Sequence, residues 1–194
     1  MADAFKKVTA SVAEICAQLP LGEEALALRA PNAGPADFLA AIVDAALYAD
    51  AVRFLTRGLP KREAVWWACL CARDALPPDT PPPVEAALKA AEAWVYKPEE
   101  ENRRAAMTCA DAAKFDSPSS WAAMGAFWSG GSMAPPGLPI VPPGQDLTAA
   151  AVTGAIMLAA VQSDPAKADE RYRRFLAYGV DIAEGGTGRK KPAA

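Results

Sequence analysis

The chain has 194 residues, 52% of them hydrophobic and 22% charged, and twenty Lys and Arg against twenty-three Asp and Glu leave a formal net charge of -3. That length suits one domain of roughly 100–200 residues, and the acidic balance is the wrong sign for a protein whose main task is to neutralise phosphates. The complete lack of histidine removes the usual general base and the commonest metal ligand, which excludes catalytic triads and histidine-based zinc sites.

About a quarter of the residues are Ala, whereas Val and Ile together number sixteen, so strand formers are scarce and helix formers abundant. The expected class is all-α. Residues 4–19 predict an amphipathic helix, with Phe5, Val8, Val12, Ile15, Cys16 and Leu19 on one face and Pro20 as its stop. A short helical turn follows over 23–28. Pro35 and Asp37 then open a long helix to about Arg57, closed by Gly58. Pro60 starts the next, through KREAVWWACLCARDAL to Pro77, and PPDTPPP connects it to a helix from Val84 to about Tyr96.

Pro98 and the acids Glu99, Glu100 and Glu101 set negative charge at the positive end of a helix running to about Lys114. Ser117 caps another through Ser129. Residues 130–144 (GGSMAPPGLPIVPPG) hold too many prolines and glycines for helix or central strand and predict one long loop. Asp146 or Thr148 restarts a helix to Val161, and Asp164 and Pro165 open a last one to about Ile182. The expectation is a single helical domain over 1–184, about seven or eight helices, with 185–194 as a disordered tail. AALYADAVRFL at 45–55 resembles AALKAAEAWVY at 86–96, and ACLCA at 68–72 resembles AMTCA at 106–110. Such spacing fits a short HEAT-like stack of helical hairpins, and an irregular helical bundle is the alternative.

Cys16, Cys69, Cys71 and Cys109 are expected as reduced thiols, since a chain this apolar needs no staples. Cys69 and Cys71, two residues apart on a helix, point about 200° from one another and cannot grip one ion. No metal or other cofactor is expected. The longest uncharged apolar helical stretch, Ala149 to Val161, falls short of the roughly 20 residues that cross a bilayer, and the N-terminal segment lacks the apolar run of a signal peptide. A cytoplasmic protein is the expectation, with neither membrane nor nucleic acid as partner.

Two acid clusters have arginines four residues on: Glu99 with Arg103, Glu100 with Arg104, Asp169 with Arg173 and Glu170 with Arg174. This ordering marks solvated helix faces, worth a few tenths of a kcal/mol per pair, and no catalytic residues are assigned. GGTGRKK near the end has glycines before a lysine but not the spacing of a phosphate loop. The five tryptophans cluster: Trp66 beside Trp67, Trp94, then Trp121 and Trp128 one heptad apart with Met124 between. Adjacent Trp rings point about 100° apart on a helix, so one of the Trp66–Trp67 pair is free to face a partner. Trp121, Met124 and Trp128 lead straight into the proline-rich loop. Such side chains usually serve the core, but aromatic and arginine anchors also dominate protein interfaces, so Trp66, Trp121, Met124, Trp128, Arg103 and Arg104 are the candidate partner-binding residues.

The segments AVWWACLCARDA (64–75), AEAWVYKPEEENRRAAM (91–107), FWSGGSMAPP (127–136) and ERYRRFLAYGVDIAEGG (170–186) resemble an uncharacterised bacterial family of small Ala/Trp-rich helical proteins. Its members are encoded near type VI secretion spike and effector genes. The resemblance implies a non-enzymatic adaptor or chaperone that binds a secreted spike or effector, and carries no catalytic residues across. Two alternatives stand beside it. An immunity protein would use the acidic body to neutralise a basic toxin encoded next door. An enzyme without histidine would need Asp, Glu, Lys, Tyr or Cys in an arrangement that the sequence does not display.

Overall fold

A computed structural model describes residues 5–162 and 164–189 and places ten α-helices in them, with no strand among the described residues. They are α1 (Val12–Cys16), α2 (Glu23–Ala27), α3 (Pro35–Asp44), α4 (Tyr48–Gly58), α5 (Lys61–Asp74), α6 (Pro82–Tyr96), α7 (Glu100–Ala112), α8 (Pro118–Phe127), α9 (Leu147–Val161) and α10 (Ala168–Ala183), the last preceded by a 3-10 turn at Pro165–Lys167. The all-α expectation is met.

Most helix starts follow the punctuation in the sequence. Proline occupies a first-turn position in α3, α6 and α8, where its missing N–H costs nothing. At α8 the Ser117 hydroxyl also accepts the Ser120 N–H, and Ser120 answers through its own hydroxyl, a reciprocal cap. Two expected helices differ. Of the segment expected as one helix over 4–19, residue 4 lies outside the described residues and the rest is helical only at Val12–Cys16, because the Ser11 and Glu14 capping box starts the helix there. Its first described residues instead run along the end of α10, where the Lys7 N–H donates to the Ala183 carbonyl at 2.9 Å.

The long helix expected over 35–57 is two. It breaks at Ala45–Leu47, where Ala46 adopts φ 59° and the Leu47 N–H closes back on the Ile42 carbonyl at 3.1 Å. An alanine in that left-handed position gives no warning in a sequence. The break turns α4 so that Phe54 lies edge-on to Phe38 of α3 with ring centroids 5.0 Å apart.

The centre of the bundle is α5, α8 and α9, each packed on the other two. The α6–α7 hairpin lies against α8, while α4 and α10 lie against α9 and each other. α9 is apolar all round, and its alanines 151, 155, 159 and 160 are fully buried. Small side chains on this rod let four neighbours, α4, α5, α8 and α10, approach closely. The largest core side chain is Trp67 of α5, fully buried, whose indole N–H donates to the Phe175 carbonyl of α10 at 2.7 Å. The two similar segments at 45–55 and 86–96 lie in different settings: α6 packs along its successor α7, whereas α4 packs on α3, α9 and α10. The architecture is a bundle of this irregular kind.

Candidate functional site

Two irregular, glycine-containing segments are held on the surface of this bundle, and each collects some of the candidate residues. The first is the connection from α8 to α9. Arg103 of α7, expected on a solvated face, is only 3% exposed and reaches under this loop. Its guanidinium donates from Nη1 to the Phe127 carbonyl at 2.5 Å and from Nη2 to the Ser132 carbonyl at 2.8 Å, and lies over the Phe127 ring. Its Nε and Nη2 also donate to the Glu100 carboxylate at 2.6 and 2.8 Å. Arg104 donates to the same carboxylate at 2.6 Å and to the Ala134 carbonyl at 3.1 Å. The Arg103 hydrogen bonds hold the Glu100 carboxyl down at about 2, and Arg104 adds to the effect.

The expected pairing of Glu99 with Arg103 is replaced by Glu100 bridging both arginines, and Glu99 meets Lys97 instead. The reason lies in the loop. Its carbonyls have no helix or sheet to satisfy them, and buried guanidinium donors take that role. Gly131 makes the approach possible, since it sits at φ 64° and a Cβ there would fall 2.9 Å from Arg103 Nε. Ser132 closes the base, its hydroxyl accepting the N–H groups of Ala134 and Val141 at 3.1 Å each while the Met133 N–H donates to the Val141 carbonyl at 2.8 Å. Beyond this clasp the tip is bare: Leu138 is 59% and Ile140 80% exposed.

The tryptophan stripe lies mostly inward. Trp121 is half-buried, its ring pressed on Gly154 of α9 and its indole N–H donating to the Phe115 carbonyl at 2.9 Å. Met124 is half-buried against the core, and Trp128, the C-cap residue of α8, is half-buried outside the core cluster. Of the candidates near this loop, Trp128 and Arg104 keep open surface, whereas Arg103 is committed internally. The exposed apolar tip, Leu138 and Ile140, was not among the candidates. Its signal was present as large aliphatics inside a run that cannot join a core helix.

The second segment follows α10. Residues 185–189, expected as the start of a disordered tail, are docked, and 190–194 lie outside the described residues. Gly185 and Gly188 take φ 100° and 74°, the Gly186 N–H donates to the Asp181 carbonyl and the Gly188 N–H to the Asp181 carboxylate, both at 2.7 Å. This strap brings the Thr187 carbonyl to the Trp66 indole N–H at 2.8 Å and lays the Arg189 guanidinium over the Trp66 ring, 5.0 Å from its centroid. Trp66 is therefore half-buried beneath the strap. The two regions do not merge: Trp66 shares no contact of this kind with Trp121, Met124 or Trp128.

The remaining chemistry points inward. Burial pushes the thiols of Cys16, Cys69 and Cys71 above the ordinary cysteine value, and Cys69 and Cys71 are wholly buried between helices. Asp74 is occupied by a bidentate Arg174 and by the Tyr178 hydroxyl, whose pKa is pushed up to about 12 by burial and then by this hydrogen bond. No group of three or more potential metal-ligating side chains occurs among the described residues. Nor is any single helix among them long and apolar enough to cross a membrane.

An all-α bundle with two clasped surface segments is the class these features define. The chain belongs to the family of unknown function DUF6931, whose profile it matches over residues 38–183, from the start of the α3 core face to the end of α10. No curated protein and no solved structure matches it.

Proposed function

We propose that this protein is a non-enzymatic cytoplasmic adaptor or chaperone that grips a partner protein with the α8–α9 loop. One observation carries the reading: Leu138 and Ile140 stand in water at the tip of a loop whose base is fixed by Arg103, Arg104 and Ser132. Neighbouring large aliphatics held together in water mark a candidate interaction surface, and a base fixed in advance lowers the entropy lost on binding. Trp128, at the end of α8, and Arg104, on the Ala134 carbonyl, are of the aromatic and arginine types common at such interfaces. The family resemblance supplies the class of partner, a type VI secretion spike or effector.

The test is a tagged pull-down from the native cells with wild-type protein and the Leu138→Ser/Ile140→Ser variant, read by mass spectrometry after a salt wash. A spike or effector protein retained stoichiometrically by the wild type and lost by the variant supports the proposal. Retention of the same proteins by both chains would overturn the loop as the binding element. A neighbouring toxin retained instead would favour the immunity reading, and its association rate should then fall steeply with salt.

A further inference from the structure

Beside Trp66, away from the loop, α5, the end of α6 and the glycine strap border an open recess of about 610 Å³. That volume lies within the roughly 300–1,000 Å³ typical of small-molecule sites. Its apolar wall is Trp66, Val95, Tyr96 and Ile182, and Tyr96 is 89% exposed at the rim. The strap makes this wall. Without Gly185–Arg189 the Trp66 indole would lose both its hydrogen-bond partner and the guanidinium over its face.

The charges around the recess do not cancel. Five charged side chains line it: Lys7, Arg62, Glu63, Glu92 and Arg189. Glu63 is paired with Lys7 at 3.0 Å, and Glu92 accepts two hydrogen bonds from Arg73, at 2.8 and 2.6 Å. Arg62 donates to the Val95 and Tyr96 carbonyls at the end of α6, and Arg189 lies on Trp66. Neither arginine meets a carboxylate among the described residues. Two guanidiniums thus flank an apolar hollow on a protein of net charge -3. Guanidinium is the side chain best shaped to take a carboxylate or phosphate by paired N–H donors.

We propose that the Trp66 recess binds a small amphiphilic anion, a carboxylate or phosphate head held by Arg62 and Arg189 with an apolar body of about ten carbons against Trp66, Val95 and Ile182. The probes are decanoate, decyl phosphate and decanol, each kept below its aggregation concentration and titrated into the full-length chain. The readout is the Trp66 indole N–H signal in two-dimensional ¹H–¹⁵N NMR, identified by its loss in Trp66→Phe. The expected result is a saturable shift with decanoate or decyl phosphate, and at least tenfold weaker binding of decanol. Arg62→Gln/Arg189→Gln should weaken the anion at least tenfold. Because Arg62 also caps α6, Arg189→Gln alone is the second variant, expected to lose at least threefold with an unchanged circular dichroism spectrum. The stronger of the two anions identifies the head as carboxylate or phosphate. Equal binding of decanol, undiminished binding by both variants, or a Trp66 signal that does not move with any probe would overturn the proposal.

Discussion

The loop after α8 and the strap after α10 solve the same problem in opposite ways. Both are runs of backbone without regular partners, and both use arginine. In the loop the arginines belong to a helix, and Arg103 and Arg104 reach out from α7 to collect carbonyls of Phe127, Ser132 and Ala134. In the strap the arginine belongs to the segment itself, and Arg189 lies on a tryptophan that the bundle presents. The loop is therefore anchored by a buried guanidinium that donates to several acceptors, and the strap by backbone turns, the Gly188 N–H on the Asp181 carboxylate, the Trp66 indole N–H on the Thr187 carbonyl and a stacking contact. Buried charge with several acceptors is the stronger anchor, so the loop base should resist perturbation that loosens the strap.

The largest effect should come from Arg103→Ala. It removes every donor that Arg103 supplies to the Phe127 and Ser132 carbonyls and one of the two arginines on Glu100. Loss of one partner from a buried, hydrogen-bonded charge typically costs ~3 kcal/mol or more, tempered here because Glu100 is half in water. Urea unfolding should show a drop of about 3 kcal/mol for Arg103→Ala and about 1 kcal/mol for Arg104→Ala, whose side chain is 28% exposed. Equal losses would mean that the two arginines share the clasp evenly and that burial is not what sets its strength.

Gly188→Ala probes the strap and should cost less. The residue sits at φ 74°, and an added Cβ would lie 2.5 Å from Leu70 Cδ1 and 3.0 Å from Ile182 Cδ1. Those are side-chain tips able to shift, so the left-handed backbone dominates and the loss should be about 1–2 kcal/mol. The Trp66 indole N–H should lose its protection from hydrogen exchange while Trp67, bonded to Phe175 in the core, keeps it. Loss of protection at both would show that the strap is part of the global fold.

Acid probes the loop through Glu100. The Glu100 carboxyl sits at about 2 in the folded chain because of Arg103 and Arg104, below its ordinary value of 4.5. A lowered carboxyl contributes stability that is present above the unfolded value and lost as pH falls from about 4.5 towards 2. With the carboxylate half exposed, solvent screening keeps that contribution below about 1 kcal/mol. Exchange of the loop amides of Ala134 and Val141, corrected for intrinsic rates, should quicken over that window, and in Glu100→Gln it should already be quick at neutral pH. A profile unchanged by the substitution would detach the loop from Glu100.

What the sequence made legible, and what it hid, follows the same division. Helices bounded by proline or a serine cap, α5 to α8, are readable because the breaking and capping chemistry is local. The split at Ala46 is not, since an alanine forced to φ 59° is decided by the packing of α4 on α9 and α10, far away in sequence. Arginines 103 and 104 are visible as charges on a helix, but whether such charges face water depends on a loop some thirty residues on that needs donors. The GGTG run invites a reading as disorder because it lies near a terminus and brings almost no side chains to pack. Here positive φ at Gly185 and Gly188 is what the strap requires. Trp121 and Met124 followed the common rule that aromatic and Met stripes at helical spacing pack inward.

The smallest stability effect belongs to the loop tip, and it bears most directly on function. Leu138 and Ile140 lie beyond the Ser132 clasp, 59% and 80% exposed, so the folded chain gains little from their side chains. Leu138→Ser/Ile140→Ser should therefore change unfolding stability by no more than about 0.5 kcal/mol, as expected for surface positions free of special contacts. A true anchor pair at an interface would nevertheless lose about 2 kcal/mol or more of binding when truncated. This dissociation between stability and binding distinguishes a surface kept for a partner from one kept for the fold. The complementary variant, Trp121→Ala, removes a ring seated on Gly154 and an indole hydrogen bond to Phe115, and should lose stability of about 2–3 kcal/mol whether or not a partner is present. If the loop variant instead proved as destabilised as Trp121→Ala, its apolar tip would belong to the fold and the binding surface would have to be sought at the Trp66 end.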